Sequence, residues 1–586
     1  MLNSGRKMSD VATVITSLQT CVPRDYVATA RSFKPRVWKA VHVFTSRRHI
    51  DTPSTSSFTE TSKFKMARIR LPDSTDSLRT SYKFQIPPVL QPRWTWKYCL
   101  VSAVFLYISY CFIAGSPLLS SNLPRYTGPH NVGAIDIEVP VRKPRQINDA
   151  VFKDSGKPAF ELQTVLFTLY YPAAKGVKTG KHHYWVPKPL WLTAVGYAKF
   201  AHISNFLTNN LFTGVMGMLV GGTKIPAHVD APLVSVEDSV QNILGQNSPS
   251  KSSVRADESV TSDGLPIIIF THGMASSRTQ YSHYLAELAS RGYVCAAIEH
   301  RDGSGPGTQI IDSSTNPASV TNKLHFGLAD VKSSRRSSDP DTKLDEDEFK
   351  KAQLAFREAE ILETTHIVHS LNAARGEKVL SANSRSQGAG AGLASLWVDR
   401  LNTNATILAG HSYGATGALQ GLKPGKLMPS IFAGGIALDP GKSSGRLNTD
   451  VDVPVLIVHS TSWSARSSVF YGRPHFEVVR EIAQNLNRKG IAGWFMTSLG
   501  TSHPSVTDAP LIEPLLLKWT TGAGIDAHEG LRQYVHASND FGKYITTGKK
   551  QNLLALPANS PEYTKKNEGM EEEWKDYWQV HVSPIE

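Results

Sequence analysis

Short apolar runs bounded by glycine, proline and polar clusters recur through this chain. Residues 165–171, 266–270, 294–298, 406–409, 430–438, 454–458 and 493–497 are brief and rich in β-branched and apolar side chains, and each predicts a strand. Of these, 266–270 (PIIIF) is the most strand-like. Between them, 281–291 and 348–371 predict helices, and 188–220, rich in Trp, Phe, Leu and Met with scattered polar positions, predicts one or two amphipathic helices. Strands alternating with helices give an α/β chain with a mostly parallel sheet and helices on both faces. The run 98–114 (YCLVSAVFLYISYCFIA) is different: it carries no charge, is flanked by Trp94 and Trp96, and is followed by Pro117. Its length is at the lower limit for crossing a bilayer, so a single membrane span over about 94–118 is expected, with a buried core helix as the alternative.

The strand 406–409 runs into Gly410-His411-Ser412-Tyr413-Gly414, and a helix-forming run follows. Strand, G-x-S-x-G and helix together form the context of a nucleophile elbow. The flanking glycines are needed because a Cβ there would meet neighbouring chain. Ser412 is the expected nucleophile. In this arrangement an orienting acid and then a base follow, each at the end of a later strand. Asp439 closes the run 430–438 and precedes Pro440-Gly441, although Asp also opens turns. His503 falls in the loop after the last predicted strand. His459, which closes 454–458, competes for the base but lies one strand too early. The strand 266–270 ends in Thr271-His272-Gly273-Met274, the usual place for an oxyanion donor. The backbone amides of Met274 and Tyr413 are therefore assigned to the oxyanion hole, and His272 is read as a loop-ordering residue.

These residues, taken with His272-Gly273-Met274, Arg278-Thr279-Gln280-Tyr281-Ser282, Leu288-Ala289-Ser290-Arg291-Gly292-Tyr293 and Glu299-His300-Arg301-Asp302, resemble the plasma and intracellular type II platelet-activating factor acetylhydrolases. The resemblance continues in Gly435-Ile436-Ala437-Leu438-Asp439 and in Ser502-His503 with Asp508. Upstream it includes Leu123-Pro124-Arg125-Tyr126-Thr127-Gly128-Pro129, Leu169-Tyr170-Tyr171-Pro172 and Trp185-Val186-Pro187, so it covers about residues 120–520. It implies an α/β-hydrolase fold in a membrane-anchored, fungal-type member of that family. The implied activity is a calcium-independent, metal-free and cofactor-free serine esterase that releases short or oxidised acyl groups from the sn-2 position of phospholipids. It also implies that the region around Trp185, Leu190 and Trp191 faces lipid. The loop Pro440-Gly441-Lys442-Ser443-Ser444-Gly445-Arg446 departs from the family's apolar, aromatic loop, which puts acetyl selectivity in question. A general carboxylesterase or polyester hydrolase of the same fold, and a catalytically silent lipid-binding protein, are the competing readings.

Composition changes this picture mainly at the N-terminus. The formal net charge is +13, and the residues before 99 hold seventeen Lys/Arg against six Asp/Glu. Residues 1–93 therefore read as a basic, largely disordered tail. No fold motif or aromatic pattern accompanies that charge, so no nucleic-acid partner is expected; phospholipid and a membrane surface are. The basic side precedes the apolar run, which puts the N-terminus in the cytosol and the hydrolase in a lumenal or extracellular space. A mitochondrial transit peptide, or a genuine start at Met66 with a secreted or cytosolic product, are the alternatives. The four cysteines (Cys21, Cys99, Cys111 and Cys295) have no zinc-type spacing. The catalytic domain is expected over 119–545, with flexible insertions near 238–263, 303–347 and 376–396 and a charged C-terminal tail over 546–586. The sequon at Asn404 abuts the elbow strand.

Overall fold

A computed structural model describes residues 95–114, 117–118, 120–235, 264–314, 318–334, 344–385, 391–425, 431–564 and 570–584. The basic tail, the insertion near 238–263 and parts of the other two insertions lie outside these residues. Among the described residues, those up to Ser109 and those from Tyr110 onward belong to separate compact units.

The larger unit is built on one ten-stranded sheet. Its strands are β1 (Asn131–Gln146), β2 (Glu161–Ala173), β3 (His228–Val229), β4 (Leu265–Thr271), β5 (Val294–Ile298), β6 (Leu401–His411), β7 (Gly434–Leu438), β8 (Val455–Ser460), β9 (Gly493–Ser498) and β10 (Trp578–Val582). Their spatial order is β10-β9-β8-β7-β6-β4-β5-β2-β1-β3. The six central strands, from β9 to β5, are parallel, while β2 and β10 pair antiparallel to that block. Every residue of β4, β5, β7, β8 and β9 is buried, as expected for parallel strands covered on both faces.

Side chains alternate between two apolar cores along each strand. Ile267 and Ile269 of β4 enter one core; Ile268 and Phe270 enter the other. On the first face lie helices α5 (Glu346–Ser370), α6 (Tyr413–Gly421) and α7 (His475–Arg488), through Phe356, Leu419 and Ile482 among others. On the second face lie α4 (Ser282–Ala289) and α9 (Ala527–Thr547), through Leu285 and Phe541. Two further helices, α2 (Leu190–Phe200) and α3 (Phe206–Val220), form from the predicted amphipathic stretch, and α8 (Pro514–Thr521) follows the last parallel strand. The result is a three-layer α/β-hydrolase-like arrangement.

Three expectations change. The apolar run does form a helix, α1 (Trp96–Ala114), but no helix among the described residues is long and apolar enough to cross a membrane. Its nineteen residues include Lys97, three tyrosines and two serines, and at 1.5 Å per residue they span about 28 Å, just short of a ~30 Å hydrocarbon core. The expected span is thus not supported. The second change is at the C-terminus: 546–586 is not merely a charged tail. Its residues 578–582 form edge strand β10, with Trp578 and Val580 fully buried. Third, the insertion 303–347 contains a paired hairpin, Gly307–Asp312 with Ser319–Leu324. The alternation in WQVHV is too short, and too close to a glutamate-rich run, to stand out in sequence.

Because β10 closes one side of the sheet with a buried indole, Trp578→Ala should destabilise the fold by about 3–5 kcal/mol. Denaturant unfolding of the full chain checks this; an unchanged midpoint would show β10 to be dispensable.

Candidate active site

Register brings the predicted residues together. Gly410 pairs with Thr271 on one side and with Ala437 on the other, so β4, β6 and β7 end level. Ser412 follows β6, Asp439 follows β7, the His272–Met274 loop follows β4, and His503 follows β9 by five residues. All four reach the carboxyl edge of the parallel block, where α/β sheets place their ligands.

Ser412 sits at φ 58° and ψ −121°, in the left-handed half of backbone space. For a residue with a Cβ this strain costs on the order of 1–3 kcal/mol and needs surrounding structure to hold it. The turn is held from several sides. The Ser412 amide donates to the Leu438 carbonyl at 2.9 Å, and the Ser412 carbonyl accepts from Ala415 and Thr416 at 3.0 and 3.2 Å. A Cβ on Gly414 would lie 1.9 Å from the Thr271 carbonyl oxygen, and one on Gly410 would lie 2.4 Å from the Gly414 oxygen. Both elbow glycines are therefore required by backbone contact.

The Ser412 hydroxyl donates to His503 Nε2 at 3.0 Å, and His503 Nδ1 donates to Asp439 Oδ2 at 2.8 Å. Asp439 Oδ1 accepts from the Ser460 amide at 2.6 Å, and Oδ2 also accepts the Ser460 hydroxyl at 2.7 Å. These donors hold the carboxylate aimed at the imidazole. Ser462 Oγ accepts the His503 amide at 2.9 Å, and Trp463 stacks on the His503 ring, centroids 4.0 Å apart and planes 10° apart. Trp463 is held in turn: its indole N–H donates to the Pro440 carbonyl at 3.0 Å, and the Lys442 ammonium lies 4.7 Å from its ring centre. Lys442 donates to the carbonyls of Trp463 and Arg466, and burial lowers its pKa to about 8. The unusual basic loop thus acts behind the base's stacking partner. Donor atoms of His411, Asp439 and His503 lie within 4.8 Å of one another, a spacing that suits a cation. Both His503 nitrogens and both Asp439 oxygens are already engaged, by one another, by Ser412 and by Ser460, so this set does not favour a metal.

Tyr413 is the first residue of α6, so its N–H has no intrahelical acceptor and is available to an oxyanion. The loop carrying Met274 presses on the nucleophile: a Cβ on Gly273 would lie 3.1 Å from Ser412 Cβ. His272 lies behind this loop. Its Nδ1 donates to the Gly273 carbonyl at 2.8 Å, and its Nε2 accepts the His300 amide at 3.1 Å. Burial, with Arg357 nearby, lowers its pKa to about 4, so it is neutral, as a loop-ordering residue should be.

His459, the rejected base, is buried behind the site. Its Nδ1 meets Ser464 Oγ at 3.2 Å and its ring packs on His475 and Phe495. His411 touches the base instead: its ring lies 4.5 Å from that of His503, and its Nδ1 accepts the Tyr281 hydroxyl at 2.8 Å. Burial, followed by the neighbouring His503, pushes the His411 pKa well down, so it adds no competing charge. Of the expected lipid-facing residues, Trp191 is exposed and Leu190 half-buried, but Trp185 is only 7% exposed. Its indole donates to Asp508 Oδ2 at 3.1 Å, so Trp185 is a core residue. That carboxylate also accepts the Ser282 and His283 amides at 3.0 and 2.9 Å at the start of α4.

Arg357 was not legible as a site residue. Fully buried on α5, it pairs with Asp302 at 2.8 Å and donates to the His272 carbonyl at 2.7 Å and to Thr271 Oγ1 at 3.1 Å. Its guanidinium also lies 4.4 Å from the centre of the Tyr413 ring. One side chain thereby touches both the loop after β4 and the first residue of α6. The rest of Glu299-His300-Arg301-Asp302 extends the same buried network. Glu299 pairs with Arg278 at 3.0 Å, His300 Nδ1 meets Glu360 at 2.6 Å, and Arg301 pairs with Glu138.

A family model described as "Platelet-activating factor acetylhydrolase, isoform II" matches residues 118–244 and 240–552. A platelet-activating factor acetylhydrolase of Cavia porcellus is 24% identical over 323 residues, 55% of this chain and 56% of that protein. One from Bos taurus is 27% identical over 197 residues, 33% of this chain and 32% of that protein. The chain thus spans about half or less of these relatives' length. A solved ferulic acid esterase from Streptomyces cinnamoneus aligns over 75% of this chain and 96% of that one, with a TM-score of 0.41 and 16% identity.

Two predictions follow from this geometry. A fluorophosphonate probe should label Ser412; His503→Ala should slow labelling by about 10⁴-fold, whereas His459→Ala should leave it within a few-fold. Equal loss in both variants would refute the assignment of the base. The second concerns acid. Buried neutral imidazoles such as His272, His283, His325 and His581 have pKa values lowered by burial to about 4. The unfolded chain therefore takes up protons first. Their contribution is complete above the ordinary histidine pKa and is lost as pH falls from about 6.5 toward 4. Asp508 and Asp540, raised by burial to about 6, act in the opposite sense but are fewer. The denaturation midpoint should fall over that window; a flat or rising midpoint would contradict the reading.

Proposed function

This chain belongs to the platelet-activating factor acetylhydrolase isoform II family, and from that premise we propose that it is a serine esterase acting on the sn-2 acyl ester of phospholipids. The observation that carries the reading is the continuous hydrogen-bonded line Ser412–His503–Asp439. In this mechanism His503 Nε2 takes the Ser412 proton as the hydroxyl oxygen attacks the ester carbonyl. Asp439 stabilises the imidazolium, and the amides of Tyr413 and Met274 receive the developing oxyanion. His503 then protonates the departing glycerol oxygen, leaving an acyl-Ser412, and water activated by the same imidazole releases the acid. No step requires a metal or cofactor, so activity should persist in EDTA.

The lipid reading rests on exposed apolar side chains of two helices. Phe206 and Leu207 on α3 are 87% and 75% exposed; Leu515 and Trp519 on α8 are 85% and 84% exposed. The segment before β1 ties the two helices' neighbourhoods together. Ser120 Oγ donates to the Leu219 carbonyl at 2.7 Å, and the Ser121 amide donates to the Ile512 carbonyl at 2.9 Å. Apolar helices with bulky exposed tips suit insertion into the headgroup boundary of a bilayer. We therefore place lipid contact on α3 and α8, with Trp191 adjacent on α2, rather than on Trp185. A general carboxylesterase remains the second reading, favoured by the polar loop around Lys442.

The test is hydrolysis of an sn-2 acetyl ether phospholipid and its long-chain analogue in EDTA, by wild type and Ser412→Ala. Serine-dependent release of acetate alone supports a short-acyl phospholipid esterase. Equal turnover of soluble short esters and phospholipid favours the carboxylesterase. Leu207→Asp with Leu515→Asp should weaken sedimentation with phosphatidylcholine vesicles by at least about tenfold while leaving fluorophosphonate labelling intact.

A further inference from the structure

From Gln163 to Val229 the chain carries six lysines and no aspartate or glutamate. This stretch supplies α2, α3 and two segments that run side by side. Trp185 N donates to Thr223 O at 2.9 Å, Ile225 N to His183 O at 2.9 Å, and Val229 N to Lys181 O at 3.3 Å. Together with residues 125–132, which lead into β1, they enclose a cavity of ≈ 490 Å³. Its walls include Arg125, His130, Lys178, His182 and His228, and no carboxylate.

The cavity is separate from the catalytic edge. Asn131 pairs with Ala173 at the end of β2, and β2 runs antiparallel to β5. The cavity therefore lies at the amino edge of the parallel block. It is also four strands from β6, about 19 Å at the usual strand spacing. Among the described residues neither Arg125 nor Lys178 is in an ion pair. His228 Nδ1 is shielded from solvent and has no hydrogen-bond partner, and its ring lies 6.0 Å from that of His182. Burial, then His182 and Lys178, lowers the His228 pKa; burial, then Lys175, lowers that of His130. The two residues of the wall that carry a formal charge, Arg125 and Lys178, are both cationic.

We propose that this cavity is an anion site that takes the phosphate of an acidic phospholipid headgroup. A guanidinium fork and an ammonium are the donors such a group requires. The site is joined through the chain to the proposed docking helix: α3 ends at Val220, three positions before the segment that forms the cavity wall, and Arg125 lies five positions after Ser120, which bonds to α3. The assignment rests on the docking reading given above.

The test uses the full chain with vesicles of phosphatidylcholine alone and of phosphatidylcholine with phosphatidic acid. Phosphatidic acid should raise wild-type partitioning on the order of tenfold. Arg125→Gln with Lys178→Gln should lose that increment but still bind neutral vesicles. Lys543→Gln with Lys549→Gln, which removes the same charge elsewhere, should keep it. An increment that survives the cavity variant, or that disappears equally in the control variant, overturns the site. So does inorganic phosphate protecting the cavity from unfolding when phosphatidic acid gives no increment, since the ligand is then a free anion. Equal binding of wild type to both vesicles overturns the site alone, whereas failure to bind either overturns the docking reading as well.

Discussion

The site depends on a backbone contact: the elbow turn packs so closely against the end of β4 that only glycine fits at position 414. That approach brings Ser412 close to the loop that follows β4. At this turn Ser412 takes a positive φ, and its hydroxyl meets His503. A turn this strained needs flanking structure that cannot yield. The adjacent register pairs from β4 to β9 provide it, all of them in buried parallel strands.

Behind the strained turn lies a buried ionic layer. Arg357 bridges Asp302, the His272 carbonyl and the Tyr413 ring, while Arg278 and Arg301 tie β1 and β2 to the end of β5. Taking such charges out of water costs several kcal/mol per ion, and replacing a buried pair with apolar side chains is often neutral or stabilising. Their value here is geometric. A guanidinium fork fixes several oxygens in one plane, which an apolar contact cannot do. The segments it fixes are the loop after β4 and the start of α6, which flank Ser412.

Most of the central fold was legible, because parallel strands buried on both faces are written as uninterrupted apolar runs. The triad was legible for a related reason: each member directly follows, or nearly follows, such a run. What the sequence concealed depends on contacts between distant segments. Arg357 reads as an ordinary charged position in a helix and becomes a site residue only where α5 crosses the elbow. Trp463 stacks on His503 because β8 and β9 are neighbours, and nothing in its own segment announces that. Trp185 looks like an interfacial aromatic, yet its indole finds a buried carboxylate more than three hundred residues away. The apolar run 98–114 gave the correct helix and a membrane span that is not supported, since period and hydropathy say more about helicity than about whether enough length remains to cross.

The account's central claim is that Ser412 becomes covalently acylated during turnover. Rapid-quench mass spectrometry of the full chain mixed with an sn-2 acetyl ether phospholipid tests it most directly. An acetyl group on the peptide containing Ser412, appearing before free acetate and absent in Ser412→Ala, is the predicted result. Undiminished acetate release from Ser412→Ala, or acetyl trapped on a different residue, would contradict it.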